Sequence, residues 1–553
     1  MAVVLSLRTI DFAITPSING EPLAAPAPLA SLPDLKTLQA DARAHGRALF
    51  AALGGEALRA RLDSDSDRLL LIDADEPADR IPWEFAALPD HQWLVLQYGV
   101  LRLVDTPAVP APSGSRLAFM AMAADPLADE NGNLTGPRLQ LDFEVKKIRR
   151  ALKECAVALD AERLPPTRNA LQKALRRVAG PAILHISCHG NVVKTESGLS
   201  PVLFLETRDS RADPLNGRDL LGMAAPGTLR LVLLSACRTA QNDTALARAL
   251  VRGGVPFAIG MQGDFPDAQS DELAEGLYDT ALAGHSLAES LRQARRAISR
   301  DDSAVGLPVG YTAREGWGPI PRPAGSPNVR ALGLPGFVDL PPEVQPPTPL
   351  LGRDLDLHRI ASEFSEEGRT VVTICGTGGM GKTALAAAFA ARFAWRWPNG
   401  ARGLSFASDV IDPAAFRAAL LRHLLGEGEA MRLAPASAEA QTSAILAAAG
   451  DWDGLLLIDN YETILQGLEN HQPEAESVHR IVAQLANGGA NLLLTSRQQP
   501  AGLRGEILYP RAGKLLEGLD DEPAARLFLQ HSSKAKDESA WKFANEVARA
   551  AEG

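Results

Sequence analysis

Short, unbroken apolar runs that stop at a chemically active residue constrain this chain more than any other feature. PAILHISCHGN ends at the imidazole of His189, and the apolar stretch of LRLVLLSACRTA ends at the thiol of Cys237. Strands buried on both faces of a parallel sheet read as continuous apolar runs. Reactive side chains in such sheets gather in the crevice at the carboxyl ends of the strands. The two runs therefore set an imidazole and a thiol side by side at one end of a sheet. LAFMAMAA, VLFLE and PFAIGM are further runs of this kind, and helical stretches near Phe143–Ala156, Arg168–Val178 and Ser270–Ser299 accompany them. Strands alternating with helices predict an α/β fold, a mostly parallel sheet covered on both faces.

The chain has 553 residues and is 46% apolar, enough for three or four globular units. Residues 1–115 open the first region, and 116–315 carry the His189 and Cys237 runs. Residues 316–349 are rich in Pro and Gly without strand or helix periodicity, which predicts a stiffened linker. A second α/β unit is expected over 350–510, and a helical region begins in 511–553.

Charge and cysteine content narrow the function classes. A net charge of −11 spread over the chain leaves no basic footprint for nucleic acid. The one basic run, KKIRRALK around Lys146, reads as the solvated face of an amphipathic helix. Four cysteines (Cys155, Cys188, Cys237 and Cys375) lack the spacing of a disulfide framework, so a reducing, cytoplasmic setting is expected. The N-terminal MAVVLSLRTIDFAI has no secretory pattern, and no apolar run has the length of a membrane span.

The strongest single motif is GTGGMGKT: Gly376, Thr377, Gly378, Gly379, Met380, Gly381, Lys382 and Thr383. The apolar run TVVTIC precedes it, and a helix opening at Ala384 follows. Glycines let backbone N–H groups turn around phosphate oxygens, and the helix N-terminus favours the negative charge. Lys382 is expected to reach the β- and γ-phosphates, and Thr383 to ligate Mg²⁺. GLLLIDNYE ends a further run at Asp459, a partner for Mg²⁺, and NLLLTSRQQ ends another at Arg497, placed to sense a γ-phosphate. ATP or ADP with Mg²⁺ is the expected cofactor. Asn460 stands where many ATPases carry a carboxylate that polarises water, and an amide is no general base. Slow turnover is expected, with Glu462 a candidate replacement.

This second half resembles the STAND class of signal-transduction NTPases, near its NB-ARC branch. LLGRDLDL (Leu350–Leu357), the phosphate loop, LLLIDN, LLLTSR and LEGLDDEPAARLF carry the resemblance. It implies a three-layer αβα domain with Gly352 and Arg353 close to the nucleotide. It also implies oligomerisation on activation, and a C-terminal region that senses an activating ligand or protein. The Gly-x-Pro turn that normally follows is expected where the sequence ends at Gly553; either the chain is truncated, the favoured reading, or it departs from its family.

Residues 1–315 resemble the CHAT family, caspase-like proteases related to separase. The segment Ile81–Phe85 (IPWEF), HISCHG, LLSAC and GGVPFAIGM carry that resemblance in the family's order. It implies a caspase-like parallel or mixed sheet, with Cys237 as nucleophile toward a protein substrate and His189 as its base. Backbone N–H groups of Gly190 and Cys237 would hold the oxyanion. A zinc site from His185, Cys188, His189 and Cys237 is disfavoured, since adjacent Cys188 and His189 point to opposite faces of a regular strand. Asp264 and Asp267 either line a specificity pocket or cap the following helix, capping being the default. The combined expectation is a signalling cysteine peptidase controlled by an ATP/ADP switch, in bacterial defence or regulated cell death. The alternatives are a nucleotide-gated scaffold with an inactive CHAT domain, and a transcription regulator, which the missing basic helix disfavours.

Overall fold

The computed structural model describes residues 2–195, 198–240, 245–366, 368, 370–406, 411–499, 503–511, 513–532 and 538–550. The chain divides into two compact units. The first comprises residues 1–126, 136–207 and 212–333, and the second 127–135, 208–211 and 334–553.

The first unit is built on one large sheet. Its main strands, in chain order, are β1 (Val3–Ile10), β2 (Leu69–Ala74), β3 (Gly99–Pro107), β4 (Leu117–Ala123) and β5 (Leu159–Leu164). They continue with β6 (Ala182–Ser187), β7 (Leu229–Ser235), β8 (Phe257–Met261) and β9 (Pro308–Arg314). Their spatial order is β5–β4–β6–β7–β8–β9–β3–β2–β1. All these neighbours are parallel except β8 and β9. This is an α/β fold with a mixed sheet. The runs read as strands are buried along most of their length: every residue of β6 and of β8 is buried.

VLFLE departs from the expectation. It lies in a strand, Gly198–Glu206, of a separate antiparallel sheet with Gly190–Thr195 and Ala212–Asn216. The chain turns into this small sheet immediately after His189. Residues 316–349 also do more than link. Asn328–Ala331 pairs with β5 at the edge of the large sheet, and Val338–Asp339 pairs with the edge of the second unit's sheet. Two to four paired residues are too few to register as periodicity.

Helices α1 (Leu141–Glu154) and α2 (Ser270–Ala283) cover one face. On that face Phe119, Ile183, Leu231 and Leu233 pack with Ile148, Leu273 and Tyr278. Met120, Leu184, Ile186, Cys188, Leu234 and Ala236 belong to the core of the opposite face. The basic run lies on α1, which buries Leu141, Val145, Ile148 and Leu152 and leaves Lys146, Arg149 and Arg150 in solvent. Lys147 and Arg150 pair with Glu275. The IPWEF segment is a buried anchor: Glu84 receives Arg102 of β3 through two hydrogen bonds of 2.9 and 2.7 Å. Asp79 joins the same guanidinium at 3.3 Å and Arg248 at 3.0 Å.

The second unit has an all-parallel sheet. Its strands are β10 (Val371–Cys375), β11 (Ala401–Ser405), β12 (Leu455–Asp459), β13 (Asn491–Ser496) and β14 (Glu506–Tyr509). The order is β11–β12–β13–β10–β14. The phosphate-loop motif joins β10 to helix α3 (Lys382–Phe393), and α4 (Glu462–Glu469) follows β12. Two helices, Asp521–His531 and Glu538–Ala550, pack on each other through Ala524, Ala525, Leu529, Ala544 and Ala548. Among the described residues no helix is long and apolar enough to cross a membrane.

Candidate functional site

Three adjacent strand ends carry the candidate active site. β4, β6 and β7 are neighbours, with Ser187 opposite both Ala123 and Ser235. His189 and Cys237 lie two residues beyond Ser187 and Ser235, where the Gly190 and Cys237 backbones come together. Alternation of side chains puts His185 and Ser187 on one face, with Leu233 and Ser235. Cys188 lies in the core of the other face, where burial drives its thiol far up. It is not available to share a site with His189. His185 is fully enclosed and bonded to Tyr278 and Ser187.

Gly190 explains why a glycine follows His189. A Cβ there would lie 2.2 Å from the carbonyl oxygen of Cys237 and 3.2 Å from its nitrogen. The two backbones are in direct contact, and no side chain fits between them. The Gly190 and Cys237 backbones expected to form an oxyanion site are thus close together.

The sequence reading missed Asp125. Its carboxylate lies 3.3 Å from Nε2 of His189 and is nearly excluded from solvent. Ala124 fastens this strand end by donating to the carbonyl of Ser187 at 2.9 Å. Asp125 accepts from the Leu139 amide at 3.2 Å and pairs with Arg138 at 3.3 Å. A carboxylate beside a histidine orients its ring. LAFMAMAADP is an apolar run ending at a polar residue like the others, so the signal was there.

Cys237 is half-buried. Burial pushes its thiol above the ordinary value, the Phe265 backbone counteracts, Asp264 adds to the rise and Arg238 opposes it. The next residue, Arg238, has φ of +61°, which turns the chain sharply behind the thiol. Arg238 is held there by a bidentate pair with Asp264 at 2.9 and 3.0 Å.

The capping expected of Asp264 and Asp267 is not found. Helix α2 starts at Ser270 behind Gln269, which makes no side-chain cap. Asp264 prefers the fork of Arg238, and Asp267 accepts from the Gln140 amide at 2.8 Å. Burial raises the Asp267 carboxyl; Glu144 and Asp125 add to the rise and His189 opposes it. Asp267 therefore belongs to the surroundings of His189.

The second unit gathers the residues read from its motifs. Gly379 and Gly381 have φ of +85° and +81°, a backbone that side chains other than glycine's rarely adopt. Lys382 donates to the carbonyl of Thr377 at 2.9 Å. Thr383 donates to Asp459 at 2.7 Å, and Thr495 to the same oxygen at 2.6 Å. The two candidate Mg²⁺ ligands are thus neighbours. Arg353 donates to Met380 at 3.0 Å and to Glu517 at 2.8 Å, so the Gly352–Arg353 pair lies against the loop. Gly376 packs on Leu516, and Ala384 lies in the first turn of α3. Arg497 flanks Gly378 and pairs with Glu462 at 3.0 Å. Glu462 is buried at the start of α4, and its Oε2 has no hydrogen-bond partner. Asn460 bends the chain with φ of +57°.

The CHAT domain family model matches residues 43–332, a little over half of the chain. The chain belongs to the CHAT family. The CHAT match includes all three strand ends and the IPWEF segment. No curated protein matches the chain. Among solved structures, one similar to it is a STAND protein with a tetratricopeptide repeat sensor from Pyrococcus horikoshii. It is 21% identical over 36% of this chain and 28% of that one, with a TM-score of 0.26. Separase of Saccharomyces cerevisiae, in complex with securin, is 12% identical over 48% of this chain and 17% of that one, with a TM-score of 0.29. The Arg-specific cysteine proteinase gingipain R of Porphyromonas gingivalis is 10% identical over 55% of this chain and 77% of that one, with a TM-score of 0.33. The chain thus spans less than a third of the length of the first two.

Proposed function

We propose that this CHAT protein is a cysteine endopeptidase whose output is governed by ATP or ADP bound in its second unit. One observation carries the reading: in a CHAT chain, the strands that lead to His189 and Cys237 are paired to their ends, the Gly190 and Cys237 backbones touch, and the Asp125 carboxylate lies 3.3 Å from His189. His189 takes the thiol proton, Cys237 attacks the scissile carbonyl, and the imidazolium, steadied by Asp125, protonates the leaving amine. Amides at Gly190 and Cys237 receive the oxyanion, where losing one donor costs about 10²–10³ in rate.

The second unit's residues fit a nucleotide with Mg²⁺. Lys382 and the loop amides bind phosphates, Thr383 and Asp459 hold the cation, and Arg353 braces the loop from behind. The buried, unsatisfied oxygen of Glu462, whose other oxygen pairs with Arg497, suits a group that is to polarise the water attacking a γ-phosphate. When bound, Mg²⁺ would neutralise phosphate charge. The resting thiol, raised by burial, fits a peptidase that waits for a signal. A protein partner sensed elsewhere, oligomerisation on activation and a role in defence complete the proposal.

A peptidyl chloromethyl ketone tests the catalytic pair, read by intact mass and peptide mapping. The expected label falls on Cys237 and is reduced at least tenfold in His189→Ala. Equal labelling of the variant, or equal labelling of half-buried Cys155, overturns the pair and favours a nucleotide-gated scaffold.

A further inference from the structure

Beneath the candidate active site lies a second polar cluster that the proposed chemistry does not use. Glu144 of α1 is enclosed, at 1% exposure, in an otherwise apolar layer. One carboxylate oxygen lies 3.0 Å from Nε2 of His185, and the other accepts from Ser187 at 2.7 Å. His185 also meets Ser187 at 2.7 Å and, through Nδ1, the hydroxyl of Tyr278 in α2 at 2.9 Å. Ser235, opposite Ser187 in the strand register, also favours the charged form of the same carboxylate. Burial pushes the Glu144 carboxyl up. The charge of His185, with the Ser187 bond and the nearby Ser235 hydroxyl, outweighs it and holds the group below its ordinary value.

The placement is specific. Ser187 is two residues before His189, and Ser235 is two residues before Cys237, on strands that pair in that register. A single anion therefore holds the last paired residue of β6 and acts on its neighbour on β7, at the ends of the two strands that lead to the candidate base and nucleophile. Enclosing a charge is costly unless its partners are good. An apolar residue on α1 would fill the layer but would leave the Ser187 hydroxyl without this acceptor.

We propose that Glu144 is a positioning residue: it braces the ends of β6 and β7 through Ser187 and Ser235, and so sets the separation of His189 and Cys237. The proposal rests on the peptidase reading for its purpose, but its physical content is tested without peptidase activity. Hydrogen exchange on the full chain, read by mass spectrometry, compares the wild type with Glu144→Gln, Ser187→Ala and Ser235→Ala. Glu144→Gln speeds exchange at least tenfold over residues 187–190 and 235–239, leaving β2, β3 and the second unit unchanged. Ser187→Ala loosens the β6 end alone, and Ser235→Ala the β7 end alone. Because burial is the main cause of the raised Cys237 thiol, loosening also brings its iodoacetamide pH profile down toward that of an ordinary cysteine. Uniform loosening of the first unit, or unchanged exchange at both strand ends with an unmoved profile, overturns the bracing. A wild type without peptidase activity counts against the earlier reading only, and the exchange pattern still decides this one.

Discussion

At the residue scale the account turns on how few side chains separate an ordinary buried cysteine from a nucleophile. Cys237 follows the strand paired with the one that leads to His189, with a glycine backbone against it and a sharp turn behind it, yet its thiol is raised by burial. Only the thiolate attacks, so the resting protein holds little of the reactive form at neutral pH. The iodoacetamide rate at Cys237 should keep climbing as pH rises past the ordinary thiol value of 9.0. A rate already level by pH 8 would contradict the raised thiol. The pair at Cys237 and His189 was legible because each ends its own apolar run. Asp125 ends a run too, but its partnership with His189 depends on sheet order: β4 lies beside β6 although β5 comes between them in sequence. The Glu144 cluster was not legible at all. One acidic residue in a basic, amphipathic helix looks solvated until its neighbours are known.

At the scale of elements, the central strands of both units carry apolar runs buried along most of their length, and that made the α/β class readable. Elements with short pairings were harder. Asn328–Ala331 contributes an edge strand from a Pro- and Gly-rich stretch, and VLFLE serves a small antiparallel sheet whose pairing its apolar run cannot reveal. The edge strand β14 carries a testable liability. Burial pushes the Glu506 carboxyl from its ordinary 4.5 up to about 7, and a hydrogen bond from Thr373 only partly offsets this. The folded state therefore favours protonated Glu506. That stability is fully present below pH 4.5 and is lost as pH rises through about 7. Its partial exposure reduces the effect to about 1 kcal/mol. Glu506→Gln should raise the melting temperature of the second unit by roughly 2–4 °C at pH 8 and leave it unchanged at pH 4.5. A shift of equal size at both values would remove burial of the charge as the cause.

At the scale of the whole molecule, the proposal joins two chemistries in one chain, a thiol at one set of strand ends and a phosphate loop at another. The composition allowed this pairing without requiring it. What pointed to it was the recurrence of one device, the apolar run ending in a reactive group, at His189, Cys237, Asp459 and Arg497. The claim is most directly tested by new N-termini generated in a cell lysate by the full chain, with and without ATP and Mg²⁺. Wild-type protein is predicted to generate a set that depends on nucleotide. Cys237→Ala should generate none of it, and Lys382→Ala should lose the nucleotide dependence along with nucleotide binding. Identical N-termini from wild type and Cys237→Ala would contradict the account at its centre.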